Sequence, residues 1–276
     1  MDISNDKVIH VKKDNCEYLQ FKKLLEYDGI IKHAYGLKPA NYKTMREGVT
    51  SESYENAINN YKMLCDSIGA DYNKLIKGEQ KHTNNVKCVE FLENSISCEE
   101  EGYKNTDGLV TNKSGAVLAT TNADCILLIL FDPVEKVIAN IHSGWRGTFQ
   151  KIAINAVNSM VDNYGCNPKN IICCICPSIR KCHFEVEEEV KNMCSNIFEY
   201  TGQLDKIVDY IGIKDGKAKW RIDTVLINTI MLKDCGLLEE NIIDCGICSV
   251  CNHEYVHSYR VEGKGYGLSS AIISLA

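Results

Sequence analysis

Apolar and polar positions alternate along this chain in short blocks, and the most informative block is the unbroken apolar run Ile126–Phe131. Its length suits a buried strand. Asp132-Pro133-Val134-Glu135 then reads as a turn, with proline presetting φ at the second turn position. Val137–Ile141 resumes as a second strand, and His142 follows at once. Folding this hairpin about its turn sets residues whose numbers sum to about 267 opposite one another, with Cβ atoms roughly 4.5–5.5 Å apart. Cys125 and His142 are thereby brought together at one end of the hairpin.

The remaining pattern is mixed. Val8, Ile9 and Val11, then Ile30, Ile31 and Tyr35, mark two or three strands with a turn at Asp28-Gly29, and Lys38–Thr50 reads as an exposed loop. Apolar residues from Ser53 to Ile68 recur with helical spacing, and Gly69 stands where a left-handed C-terminal residue is expected. A polar loop with Gln80 and His82 precedes a strand pattern at Val86, Cys88 or Val89, and Phe91. Asn94–Thr106 reads as a surface loop, and Asp107–Thr111 and Ala116–Thr121 as strands. Thr148–Asn163 is the clearest amphipathic helix. Ile171–Pro177 reads as a buried strand, residues 186–200 as a helix, 200–219 as a surface excursion, 222–235 as a helix and 241–248 as a strand. A last strand closes the sequence. With no internal repeat and no linker, the expectation is a single domain spanning residues 1–276.

Composition narrows the function classes. The formal net charge is −6 and no run of Lys or Arg stands out, so no nucleic-acid partner is expected. No apolar run approaches the roughly 18 residues of a membrane span, and the N-terminus lacks an apolar export segment, so the expected location is cytoplasmic. The 15 cysteines are an odd number in a long chain, which favours reduced thiols over a disulfide framework. Most are expected to be small buried hydrophobes. Cys245, Cys248 and Cys251 have the spacing C-x2-C-x2-C, which can begin a metal or cluster site. Cys173, Cys174, Cys176 or Cys182 can supply a fourth ligand only through folding.

Three chemistries fit a thiol and imidazoles at the hairpin end. Zinc on His82, Cys125 and His142 would keep one coordination position open. Without metal, Cys125 is a candidate nucleophile with His142 as its base. A copper oxidase is the third, but multi-copper chemistry needs many histidines, and this chain has 7. Asp124 is either a group orienting a ligand histidine or a strand-end cap. Arg146, beside the Gly144 and Gly147 turn into the Thr148 helix, marks a candidate anion site, and Arg260 is a second. A non-enzymatic, thiol-rich metal or redox protein is the alternative from another class.

Four segments carry a resemblance. T-N-A-D-C (121–125), H-S-G-W-R-G (142–147), C-P-S-I-R-K-C-H-F-E-V (176–186) and H-S-Y-R (257–260) resemble motifs of the laccase-domain family. This family is also called the YfiH-type or polyphenol oxidase family, and its bacterial members are often labelled peptidoglycan editing factor. The resemblance implies a fold of mixed β-sheets sandwiched between helices (α+β), like the cytotoxic necrotizing factor catalytic domain. It implies zinc on His82, Cys125 and His142, with copper as the alternative ion. It further implies phosphorolysis of adenosine, inosine or methylthioadenosine and deamination of adenosine, with a purine nucleoside and phosphate as ligands. A cysteine hydrolase acting on a cell-wall precursor and a copper-dependent polyphenol oxidase are the alternatives. The chain departs from the usual family forms at Leu127, Cys176, His183 and Phe184. The N-terminal family motif is blurred, leaving Lys38 and Arg46 as alternatives for its arginine.

Overall fold

The unbroken apolar run at 126–131 arises because its strand is covered on both faces. The computed structural model describes residues 2–13, 15–44, 48–90 and 103–276; Arg46, Phe91 and most of the 94–106 loop lie outside them. In the strand Ile126–Asp132, Ile126, Leu128 and Leu130 join a core built with helices. Leu127, Ile129 and Phe131 join a second core shared with another sheet. A strand with two buried faces needs apolar side chains at every position.

Two six-stranded sheets make the centre of the fold. One has the spatial order Val8–Lys13, Cys16–Phe21, Ile31–Gly36, Ser269–Leu275, Val117–Asn122, Leu75–Lys77. The other runs Ile242–Asp244, Ile172–Ile175, Ile126–Asp132, Val137–Ser143, Gly108–Thr111, Val86–Cys88. Both contain parallel and antiparallel pairs. Helix Ser51–Ile68 covers the outer face of the first sheet. Helices Ile152–Tyr164 and Thr224–Asp234 share the core on the outer side of the second, and Glu188–Phe198 joins that core while packing on the strand Lys217–Ile222. This is the expected α+β arrangement of mixed sheets between helices. The N-terminus of the long helix is closed by a Thr50–Ser53 capping box and its C-terminus by left-handed Gly69.

Local differences from the sequence expectation have physical causes. In the central hairpin Leu127 faces His142, so paired numbers sum to 269 rather than 267. Asp132 pairs with Val137 instead of opening the turn, and Lys136 takes a left-handed conformation to close it. A shift of two keeps every side chain on its face, whereas a shift of one would have reversed the hairpin. His142 lies within the strand Val137–Ser143 rather than after it. The Thr148–Asn163 helix is two helices, Trp145–Phe149 and Ile152–Tyr164, broken at left-handed Lys151. The 200–219 excursion contains an antiparallel pair, Val208–Lys214 with Lys217–Ile222. Tyr210 and Ile213 are exposed there, so no burial pattern marked the strands. The 38–50 loop is anchored by fully buried Tyr42, which packs edge-on against Tyr61 with ring centroids 5.0 Å apart. The 241–248 strand stops at Asp244, before left-handed Gly246.

One buried polar side chain stitches the two sheets together. Asn140, on the strand Val137–Ser143, donates to the carbonyls of Leu118 (3.0 Å) and Ala271 (2.9 Å) and accepts from the Thr120 hydroxyl. All three partners belong to the other sheet. Asn140→Ala is expected to destabilise the chain by roughly 2–3 kcal/mol, since the buried Thr120 hydroxyl loses its acceptor. Urea unfolding measures this; a change below about 0.5 kcal/mol would show that the contact contributes no more than an ordinary surface substitution.

Candidate active site

The strand pairing sets the site. Gly108 faces Ile141, so the residue before it, Asp107, meets His142, whose N–H donates to the Asp107 carbonyl at 2.7 Å. The Asp107 carboxylate lies 2.8 Å from His142 Nδ1. It also accepts from the backbone N–H groups of Lys81, His82 and Thr83 and from the Thr83 hydroxyl. With Nδ1 committed to the carboxylate, His142 presents Nε2 to the site. The same carboxylate holds the 81–83 loop in place, with His82 in a left-handed conformation. Gln80 anchors the base of this loop, donating to the Thr121 carbonyl and accepting from the Thr121 N–H and hydroxyl.

This geometry brings all three expected ligands together. His82 Nε2 lies 3.7 Å from Cys125 Sγ, and the His82 and His142 rings meet edge to face with centroids 4.9 Å apart. One ligating atom from each of His82, Cys125 and His142 falls within 4.8 Å of the others. The space between them is kept open by Gly144. A Cβ at that position would come within 2.7 Å of the His82 ring and 3.1 Å of Cys125 Sγ. A soft thiolate and two imidazoles, with room for an ion, fit a catalytic zinc set with one position left for another ligand.

The electrostatics favour a thiolate at Cys125. Burial alone would raise the Cys125 thiol, but the charge and hydrogen bonds of His142 and His82 outweigh it and lower the thiol to about 6. Burial opposes the charged form of His142, yet the Cys125 thiolate and Asp107 hold it up, at about 9. Asp107 is pulled down to about 2 despite its burial, by His142 and by the Thr83 donors. Thiolate, imidazolium and carboxylate therefore form one charge-coupled chain near neutral pH.

The three ligands open onto a cavity of about 410 Å³, within the range of small-molecule sites. Trp145, Phe184, Tyr259 and Tyr266 supply aromatic surface to its lining, and Arg260 supplies a cation. Arg146 is placed differently from the expectation. It is exposed, its guanidinium lies 4.2 Å above the Trp145 ring, and it is not part of the cavity wall. Its reach into the site runs through Trp145. Arg260 donates to the carbonyls of His183 (3.0 Å) and Glu185 (3.3 Å), which fixes the guanidinium at the rim.

Asp124 neither touches a ligand histidine nor merely caps the strand. Its carboxylate accepts from the hydroxyls of Ser249 and Ser258 and from the Arg260 N–H, and its carbonyl accepts from the Ile179 N–H. It ties three loops to the hairpin end, in a left-handed conformation at φ 84° that non-glycine residues seldom adopt. The residue that orients His142, Asp107, was not picked out from the sequence. It sits 35 positions away on a neighbouring strand, and only the strand pairing reveals it.

If His82, Cys125 and His142 hold an ion, Gly144→Ala is expected to lower metal occupancy at the site by at least about tenfold, because the added methyl must displace ring or sulfur atoms of the candidate ligands, a loss comparable to disturbing an oriented ligand. Metal analysis of the purified variant beside the wild type measures this, with circular dichroism reporting the fold. Full occupancy in the variant would contradict the assigned position of the ion.

Comparisons with known proteins bear on the fold and the family. The chain is 26% identical over 251 residues to purine nucleoside phosphorylase YlmD of Bacillus subtilis, covering 86% of this chain and 88% of that one. It is 29% identical over 206 residues to adenosine deaminase RL5 of an unknown prokaryotic organism, covering 74% and 76%. The fold superposes on the crystal structure of the hypothetical protein YfiH from Bacillus licheniformis with a TM-score of 0.82, at 23% identity and over 94% of this chain and 96% of that one. A family model described as multi-copper polyphenol oxidoreductase laccase matches residues 28–276, and the chain belongs to that family.

Proposed function

We propose that this chain is a zinc-dependent enzyme of purine nucleoside metabolism, catalysing phosphorolysis of adenosine, inosine or methylthioadenosine and deamination of adenosine. The observation that carries the reading is the convergence of His82, Cys125 and His142 on one wall of a cavity that also holds aromatic rings and Arg260. The names of the relatives, a purine nucleoside phosphorylase and an adenosine deaminase, support the same substrate class.

His82, Cys125 and His142 would hold the ion, which supplies a Lewis acid and lowers the pKa of a bound water. Asp107 fixes the tautomer and direction of His142. The faces of the aromatic side chains suit a flat purine base, for which stacking is insensitive to the substituent at C6. Arg260 suits phosphate: two of its N–H groups are spent on backbone carbonyls, and guanidinium carries five in all. Arg146 stiffens Trp145 from outside through its stacked guanidinium. A zinc reading is favoured over a multi-copper one because only two of the seven histidines meet at this site.

A second reading, a metal-free cysteine hydrolase, is favoured by one specific feature. Cys125, His142 and Asp107 are linked as thiol, imidazole and carboxylate, the order used by nucleophile–base–orienter sets.

Incubating zinc-loaded protein with adenosine and phosphate is expected to give adenine with ribose 1-phosphate, or inosine with ammonia. Arg260→Ala is expected to raise the KM for phosphate by about tenfold or more, as loss of a charged hydrogen-bonding partner implies. No product at any zinc or phosphate level would overturn the proposal. Amide hydrolysis that survives chelators and is lost on thiol alkylation would establish the second reading in its place.

A further inference from the structure

A second group of ligating side chains lies outside the site described above. Cys182 and His183 sit on the turn that follows Ile179, and Cys248 and Cys251 on the loop that follows the strand Ile242–Asp244. The two loops run side by side: Ser178 bridges Cys248 in parallel, and the Ser249 N–H donates to the Ser178 carbonyl at 3.0 Å. Four donor atoms are thereby gathered. Cys182 Sγ lies 3.6 Å from Cys248 Sγ, and His183 Nδ1 lies 3.1 Å from Cys182 Sγ and 3.6 Å from both Cys248 Sγ and Cys251 Sγ. All four atoms fall within 4.8 Å of one another.

Three of these separations match the edges of a filled coordination shell, and the His183 Nδ1–Cys182 Sγ contact at 3.1 Å is shorter. A tetrahedron with zinc–sulfur bonds of ~2.3 Å and a zinc–nitrogen bond of ~2.0 Å has ligand-to-ligand edges of about 3.5–3.8 Å. Cys245, the first cysteine of the C-x2-C-x2-C run, is not a member. It is buried and accepts from Arg180 and from the Ile247 N–H.

We propose that Cys182, His183, Cys248 and Cys251 form a second, structural zinc site, with four protein ligands and no open position. It would lock the loop that contributes Ile179 and Phe184 to the cavity wall against the 248–251 loop packed beside it. Phe184, which lines the cavity, follows the ligand His183 directly, and Arg260 grips the His183 carbonyl. Ser249, between two ligands, donates to Asp124 at 2.6 Å. The bound ion would therefore hold the rim in register with the hairpin without taking part in chemistry. The inference does not depend on the nucleoside reading, because its readout is the metal itself.

Zinc per chain, measured on full-length protein purified under reducing conditions, tests it. The wild type is expected to carry two ions, Cys251→Ser one, Cys125→Ala one, and the double variant none. Cys251 is exposed, so its replacement leaves the core intact, and circular dichroism checks this. As a second measurement, Cys125→Ala loaded with cobalt is expected to show tetrahedral ligand-field bands and strong thiolate-to-cobalt absorption. That signal is expected to disappear in Cys125→Ala with Cys182→Ser. A single ion in the wild type that is lost entirely in Cys125→Ala, with the other thiols free or joined as a disulfide, would overturn the proposal.

Discussion

The carboxylate of Asp107 is the constraint on which the site depends. It is 1% exposed, and an ionised group so placed carries a desolvation cost of several kcal/mol unless donors surround it. Here it accepts from three consecutive backbone N–H groups, a hydroxyl and an imidazole. Those donors come from the 81–83 loop and from His142. The energetic demand of one buried charge thus fixes the two imidazole-bearing segments relative to each other. Cys125 completes the group from the facing strand at the same end of the hairpin, and Gly144 leaves the space between them free.

The two sheets supply the rigid frame for this chemistry. His142 shares a strand with Asn140, whose amide reaches across to the other sheet, and Gln80 ties the His82 loop to the strand Val117–Asn122 of that same sheet. The candidate ligands therefore sit at strand ends and on an anchored loop where the two packed sheets meet, rather than on a free loop. On the opposite rim, Asp124 gathers the 179, 249, 258 and 260 positions by side-chain and backbone bonds. Two buried carboxylates, Asp107 and Asp124, thus fix sequence-distant loops around the cavity.

The sequence was most legible where periodicity and burial coincide. The apolar strand and its turn placed Cys125 beside His142, and a two-residue error in register did no harm because it preserved the face of each side chain. The long helix and its glycine stop were visible for the same reason. The exposed pair Val208–Lys214 and Lys217–Ile222 was not, since a strand without a buried face carries no alternation. The break at Lys151 was hidden because the apolar positions on either side of it, Phe149 and Ile152, keep helical spacing while the backbone between them does not. Asp107 and the grouping of Cys182 and His183 with Cys248 and Cys251 arise from strand pairing and loop packing over long sequence separations, and no local pattern encodes them. Arg146 was singled out by its place next to a glycine turn, but that turn leads into a helix of only five residues, and the side chain stacks outward on Trp145.

The most direct test of the central claim is the zinc affinity of Asp107→Asn, measured by competition with a chelator of known affinity, using Cys251→Ser as the background so that one site is read. The substitution keeps the shape of the side chain and removes its charge. The account predicts an affinity lower by about 10- to 100-fold, the usual cost of losing a carboxylate behind a ligand histidine. An unchanged affinity in a folded variant would contradict it.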